Sequence, residues 1–204
     1  MRHSIKVFDD FCHGVDAVRQ SALDSGFGKW TPNKGKVGSS IYTGMNYTGK
    51  HALMLHALTV ATGGIVFPNS MFFRVSNTDT ERAYIHSDRT MGARTCIAYI
   101  SKHDEVSGTA FWRHKRTRLV EMPTFEEQEK LGIANELAYD MVHGDEDKWE
   151  QLDFVRGIYN RALVFDAPLF HSRFPFTGIG DDEIGGRMIW ATHFYTPETI
   201  GGAA

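Results

Sequence analysis

The sequence predicts a mainly β protein with flanking helices, and three observations carry that expectation. Thr95–Ile100 and Arg187–Tyr195 alternate side chains with the period of a strand. Asn160–Asp166 holds Ala162, Leu163, Val164 and Phe165 in a row, the mark of a strand covered on both faces. Apolar residues recur at helical spacing only in limited stretches, chiefly Val15–Ser25, His51–Ala61 and from Thr124 to about His143. A chain of 204 residues, 42% hydrophobic and 23% charged, is long enough for a substantial core and is expected to form one domain.

In chain order, Ser4–Phe8 alternates as a short strand, and Asp9-Asp10 is placed to cap the helix over Val15–Ser25, which Gly26 ends. Residues 29–50 are rich in Gly, Lys, Asn, Ser and Thr and read as loops around a short strand at Ser40–Tyr42. Tyr42 and Tyr47 there are surface tyrosines by default, with a cleft as the alternative. His51–Ala61 is a helix stopped by Gly63-Gly64, and Ser70–Ser76 a strand that feeds the loop before Glu81–His86. Lys102–Val106 is a hairpin loop, after which Gly108-Thr109 leads into the strand Ala110–Trp112. A helical insertion is expected over about residues 113–156, individual enough to cover a cleft and bear on substrate choice. It opens on the basic run Arg113–Arg118, carries the capping box Thr124-x-x-Glu127, and ends in the acidic turn Asp145-Glu146-Asp147 and a strand near Phe154.

Composition removes several function classes. The formal charge is −3 and the pI near 6.4, so no global basic excess argues for nucleic acid. The run Arg113–Arg118 reads first as a solvated face and second as a patch for phosphate or an acidic partner. Cys12 and Cys96 make no disulfide framework, and Cys96 inside a strand reads as a buried thiol. No apolar stretch follows the start MRHSIKVFDDF and nothing approaches a membrane span, so the chain is expected to be cytoplasmic.

The chemistry concentrates at His86-Ser87-Asp88. In an extended chain alternate residues point the same way, so His86 and Asp88 share a face about 7 Å apart along the strand. Together with His171, beyond the apolar strand Asn160–Asp166 and a turn, they make two histidines and a carboxylate, the facial set of non-haem Fe(II) oxygenases. Taken alone, the pair reads equally as surface or capping residues in a chain with ten histidines.

The order H86-S-D88, T95-C-I-A-Y99-I-S, S107-G-T109, N160-R-A-L-V-F-D166, His171 and R187-M-I-W-A-T-H193-F-Y resembles the Fe(II)/2-oxoglutarate dioxygenases of the prolyl-hydroxylase-like branch over about residues 70–196. The resemblance implies a double-stranded β-helix, or jelly roll, with residues 1–69 as a support and helices on one side. It implies Fe(II) on His86, Asp88 and His171, and 2-oxoglutarate chelated by the iron, its far carboxylate held by Arg187 and Tyr99. The gap from His171 to Arg187 is longer than the usual spacing, through the glycine-rich turn 177–186, and Arg173 is the alternative. Strand alternation places Arg187, Ile189, Ala191 and His193 on one face, so His193 is expected beside 2-oxoglutarate or substrate, with a core histidine as the equal alternative. The reaction implied consumes O2, releases succinate and CO2, and hydroxylates an amino acid, a peptide residue or a small metabolite. Asp88 keeps the position a halogenase vacates. A metal- or ligand-binding jelly roll without turnover, and a nucleobase oxygenase or demethylase guided by Arg113–Arg118, are the competing readings.

Overall fold

The computed structural model describes residues 4–30, 42–80, 82–102, 107–143 and 146–201. Its strands are β1 (Lys6–Phe8), β2 (Gly28–Trp30), β3 (Tyr42–Asn46), β4 (Phe67–Ser76), β5 (Arg94–Tyr99), β6 (Gly108–His114), β7 (Trp149–Arg156), β8 (Ala162–Asp166), β9 (His171–Phe174) and β10 (Arg187–Tyr195). Its helices are α1 (Val15–Ser25), α2 (His51–Thr62), α3 (Phe125–Leu131), α4 (Ala134–His143) and the short α5 (Pro197–Gly201). The strands form two antiparallel sheets, one in the order β1-β8-β5-β10-β4-β3-β2 and one in the order β7-β6-β9. A bridge between His86 and His171 lays the chain before β5 along the free side of β9.

Side-chain alternation sorts the residues into layers. Ile97 and Tyr99 of β5, Phe111 of β6, Val155 of β7, Leu163 and Phe165 of β8, and Ile189 and Ala191 of β10 form the core between the sheets. The opposite faces of β5, β8 and β10, with Cys96, Ala98, Val164, Met188 and Trp190, meet Val15, Val18 and Ala22 of α1 and Met54 and Leu58 of α2. Each such large side chain taken out of water contributes about 1.5–3 kcal/mol. The face expectation for Arg187–Tyr195 matches: Ile189 and Ala191 point inward while Met188, Trp190 and Phe194 point to the helices.

The structure corrects four local expectations. Helices flank both sheets, because Ile133 and Leu137 pack on Ala110, Trp112 and Trp149 at the outer face of the small sheet. The insertion's α4 therefore backs that sheet, and the ends of the expected 113–156 stretch are strand residues of β6 and β7. Asp9 and Asp10 do not cap α1: its N-cap is Gly14, and Asp9 is salt-bridged to Arg161. The single helix from Thr124 is two, broken where Gly132 takes φ 64° and caps α3 through Gln128 and Glu129 carbonyls. The capping box of Thr124 and Glu127 is formed. Residues 40–41, 103–106 and 145, and the side chain of Tyr42, on which other expectations fall, lie outside the described residues. Among the described residues no helix is long and apolar enough to cross a membrane.

Candidate metal centre

Backbone pairing brings the two histidines together before any side chain acts. His86 and His171 exchange both main-chain hydrogen bonds, N to O at 2.9 Å each way, so their rings stand 4.4 Å apart at the inner edge of β9. The Asp88 amide donates to Ala167 O at 2.9 Å, which fixes the third residue against the turn between β8 and β9. His86 Nε2 then lies 3.8 Å from Asp88 Oδ1, and His171 Nε2 lies 3.3 Å from Asp88 Oδ2.

The hydrogen-bond partners decide which ring nitrogens face inward as acceptors. His86 Nδ1 meets Tyr84 O at 3.0 Å and His171 Nδ1 meets Leu169 O at 2.9 Å. A carbonyl oxygen only accepts, so each Nδ1 carries the hydrogen and each Nε2 turns a lone pair toward Asp88. Burial, then the neighbouring His171, pushes the His86 imidazole down to about 4. Its side chain is 43% open to solvent, while Nε2 is turned toward the buried Asp88 carboxyl. Burial by itself would raise Asp88, but the histidines around it outweigh that and hold the carboxyl well below the usual carboxylate range. In that tautomer three lone-pair donors converge, and a divalent cation with imidazole and carboxylate preference fits that gap.

Behind the cluster the core is apolar: the ring of Phe165 stands 4.7 Å and that of Phe111 6.4 Å from His171. In front it opens. Tyr84 stands edge-on to His86 at 6.2 Å, Phe72 lies 6.1 Å from His193, and Tyr47, 46% exposed, lies 6.1 Å from Phe72. Asp88 Oδ2 also receives Thr95 Oγ1 at 2.8 Å and contacts His193 Nε2 at 3.2 Å, while His193 Nδ1 is 2.6 Å from Ser70 Oγ. His193 sits on the face expected of it, but both its nitrogens are engaged there.

The other expected residues meet farther along the inner face. The Arg187 guanidinium lies over the Tyr99 ring, 5.3 Å from its centroid, and its Nη2 donates to Gly108 O at 3.4 Å. Tyr99 is fully buried, its hydroxyl 2.8 Å from Thr109 Oγ1 and donating to Val155 O at 3.4 Å. Arg173 shares this region, and burial, then Arg187 and Arg74, pushes its guanidinium down, the direction a bound anion reverses. Thr109, Ser70, Thr95 and Arg74 were given no part in the site from the sequence. Alternation outward from Phe111 and from Phe72 is the signal that assigns Thr109, Ser70 and Arg74 to the inner face.

A second group, His114, Glu136 and Asp140, also places possible ligand atoms close together. Its atoms are already paired: His114 Nε2 is 2.9 Å from Asp140 Oδ2, and Glu136 takes a bidentate contact from Arg116. Arg113 and Arg118 both reach Glu150, so the acids of the insertion answer the arginines of the basic run.

The model of a family described as a family of unknown function, DUF6445, matches residues 1–188. No curated protein matches the sequence. Among solved structures, the non-heme alpha ketoglutarate dependent carbocyclase SnoK from nogalamycin biosynthesis is similar, with TM-score 0.58 at 12% identity over 94% of this chain and 79% of that one. HygX from Streptomyces hygroscopicus with iron bound gives 0.55 at 10% identity over 96% of this chain and 83% of that one. HygX with nickel, 2-oxoglutarate and hygromycin B gives 0.52 at 11% identity, covering 96% and 84%. At such identities the likeness is one of fold.

Proposed function

The chain belongs to the DUF6445 family, and we propose for it a non-haem Fe(II)- and 2-oxoglutarate-dependent oxygenase on a double-stranded β-helix, hydroxylating an amino acid, a peptide residue or a small metabolite with release of succinate and CO2. One observation carries the reading. His86 Nε2, His171 Nε2 and the Asp88 carboxylate converge as lone-pair donors, and two main-chain carbonyls hold both histidines in the ligating tautomer. The comparisons support it, since SnoK is described as alpha ketoglutarate dependent and HygX has been seen with iron, and with nickel and 2-oxoglutarate.

Iron bound there supplies the position at which 2-oxoglutarate and O2 react to oxidise a C–H bond. The residues do the rest. His86, Asp88 and His171 would hold the iron, and three protein ligands would leave coordination positions for reactants. Arg187, stacked on Tyr99, or Arg173 beside it, offers a charge-assisted fork for the far carboxylate of 2-oxoglutarate. Phe111 and Phe165 keep water from the closed side, and Tyr47, Phe72 and Tyr84 form an aromatic rim past which the substrate enters.

The test is an anaerobic titration of the metal-free protein with Fe(II) and 2-oxoglutarate, watched for the weak visible charge-transfer band of a keto acid chelated to ferrous iron. The expected band appears only with both present and weakens in Arg187→Ala at modest 2-oxoglutarate. A folded protein that gives no band with either order of addition overturns the oxygenase and leaves a binding protein.

A further inference from the structure

We infer that His193 is a positioning residue for the Asp88 carboxylate, fixing which oxygen it presents to a metal, and touches neither metal nor co-substrate. The inference rests on the reading that His86, Asp88 and His171 hold iron. Three histidines surround one aspartate, and their partners sort them into two kinds. His86 and His171 have carbonyl oxygens at Nδ1, which leaves Nε2 as an acceptor. His193 is the reverse. Its Nε2 lies 3.2 Å from Asp88 Oδ2, and since a carboxylate only accepts, that nitrogen bears the hydrogen. The neutral ring then has its lone pair at Nδ1, where Ser70 Oγ stands 2.6 Å away and donates.

The arrangement is anchored in the sheet. His193 pairs with Ser70 across β10 and β4, Thr192 Oγ1 donates to Ser70 O at 2.7 Å, and the register slips immediately afterwards, between His193 and Phe194. Bulges of this kind re-aim side chains beside functional sites. Thr95 Oγ1 adds a second donor to the same oxygen at 2.8 Å. Oδ2 lies 3.3 Å from His171 Nε2 but already takes the two donors, which leaves Oδ1, 3.8 Å from His86 Nε2, as the oxygen available for coordination. A carboxylate held in this way does not swing both oxygens onto one cation, so it takes one coordination position and keeps the others for reactants. With both nitrogens committed, His193 has no atom to offer 2-oxoglutarate.

The experiment measures Co(II) affinity, the visible Co(II) spectrum, and 2-oxoglutarate affinity of the Co(II)-loaded full chain, for wild type, His193→Phe, His193→Gln and Ser70→Ala. The expected result is a Co(II) Kd raised about 10- to 100-fold in His193→Phe, with a changed visible spectrum and 2-oxoglutarate affinity within about twofold. His193→Gln, whose amide again donates to Asp88, is expected to restore most of the loss, and Ser70→Ala to show a smaller loss of the same sign. Unchanged Co(II) affinity and spectrum in His193→Phe overturns the inference, as does a loss confined to 2-oxoglutarate. If His193→Phe fails to fold by circular dichroism, Ser70→Ala and His193→Gln decide: wild-type Co(II) affinity and spectrum in both overturns it. Wild type that binds Co(II) but never responds to 2-oxoglutarate sinks the oxygenase alone, whereas wild type that binds no Co(II) sinks both.

Discussion

An imidazole that is to hold a metal must first lose its proton, and His86 is arranged to lose it early. Its pKa, pushed down by burial to about 4 from an ordinary 6.5, means the unfolded chain takes up a proton between those values that the folded chain refuses. The unfolded state then binds more protons, so stability falls as pH falls through that window. Asp88 adds to the same trend lower down, because a depressed carboxyl gives stability present above the unfolded value and lost on acidification. Thermal melts of the metal-free protein should fall steadily from about pH 6.5 to pH 4, and His86→Ala should flatten the upper part; a flat profile in wild type contradicts the assignment. His86→Ala and Asp88→Ala should each abolish Fe(II) binding by calorimetry, and His86→Ala should leave the far-UV spectrum unchanged, since its side chain is 43% exposed. That His86 and Asp88 come together was legible from the alternation of an extended chain, although the segment forms a bridge only at His86 and no strand. The partners of Asp88 were not. Thr95 and Ser70 are small hydroxyl residues with no pattern of their own, and their meaning appears only when β5, β10 and β4 are known to be neighbours.

Elements were legible where a period ran unbroken and were misread where a local conformation interrupted it. α1 and α2 end at Gly26 and Gly63 as their glycines announce. The helix after Thr124 was read through Gly132 because Leu131 continues the apolar spacing, yet Leu131 is 59% exposed and belongs to a helix with no buried residue. Such a helix depends on its ends. Thr124→Ala removes the side-chain half of the capping box, the hydroxyl that accepts from the Glu127 N–H, and should cost about 1 kcal/mol, confined to α3. Hydrogen exchange at Glu127 and Gln128 should accelerate about fivefold while the melting temperature hardly moves; unchanged exchange would show that the cap contributes nothing. Gly108 is the opposite case, an element fixed by close approach. A Cβ there would stand 2.1 Å from Val155 O and 2.8 Å from the Phe154 ring, so β7 has no room to accept it. Gly108→Ala should destabilise the protein by about 3 kcal/mol in denaturant unfolding and weaken 2-oxoglutarate binding through the Gly108 carbonyl that Arg187 contacts.

At the scale of the molecule the layers separate what holds the fold from what does the chemistry. One sign of the second helical layer stood in the sequence: Ala110, Phe111 and Trp112 are consecutive and apolar, which requires cover on both faces of β6. Which element supplies that cover depends on long-range packing and was not legible, so the insertion was assigned to the cleft. In the structure Phe111 turns toward His171 while Ala110 and Trp112 turn toward α4. The outer contact is clamped by His114, fully buried, which reaches Asp140 Oδ2 with Nε2 and Thr117 Oγ1 with Nδ1, each at 2.9 Å. The Trp149 indole donates to Asp140 O at 3.2 Å and ties the same turn of α4 to β7. Asp140→Ala strands a buried imidazole and should cost about 2–4 kcal/mol. Because the clamp lies on the far side of the sheet from Asp88, that loss should appear as a lower melting temperature with Co(II) and 2-oxoglutarate affinities of the folded protein within about twofold of wild type. A variant that keeps its stability but loses metal affinity would mean the insertion acts on the site through the small sheet, and the separation of scaffold from chemistry drawn from these layers would fail.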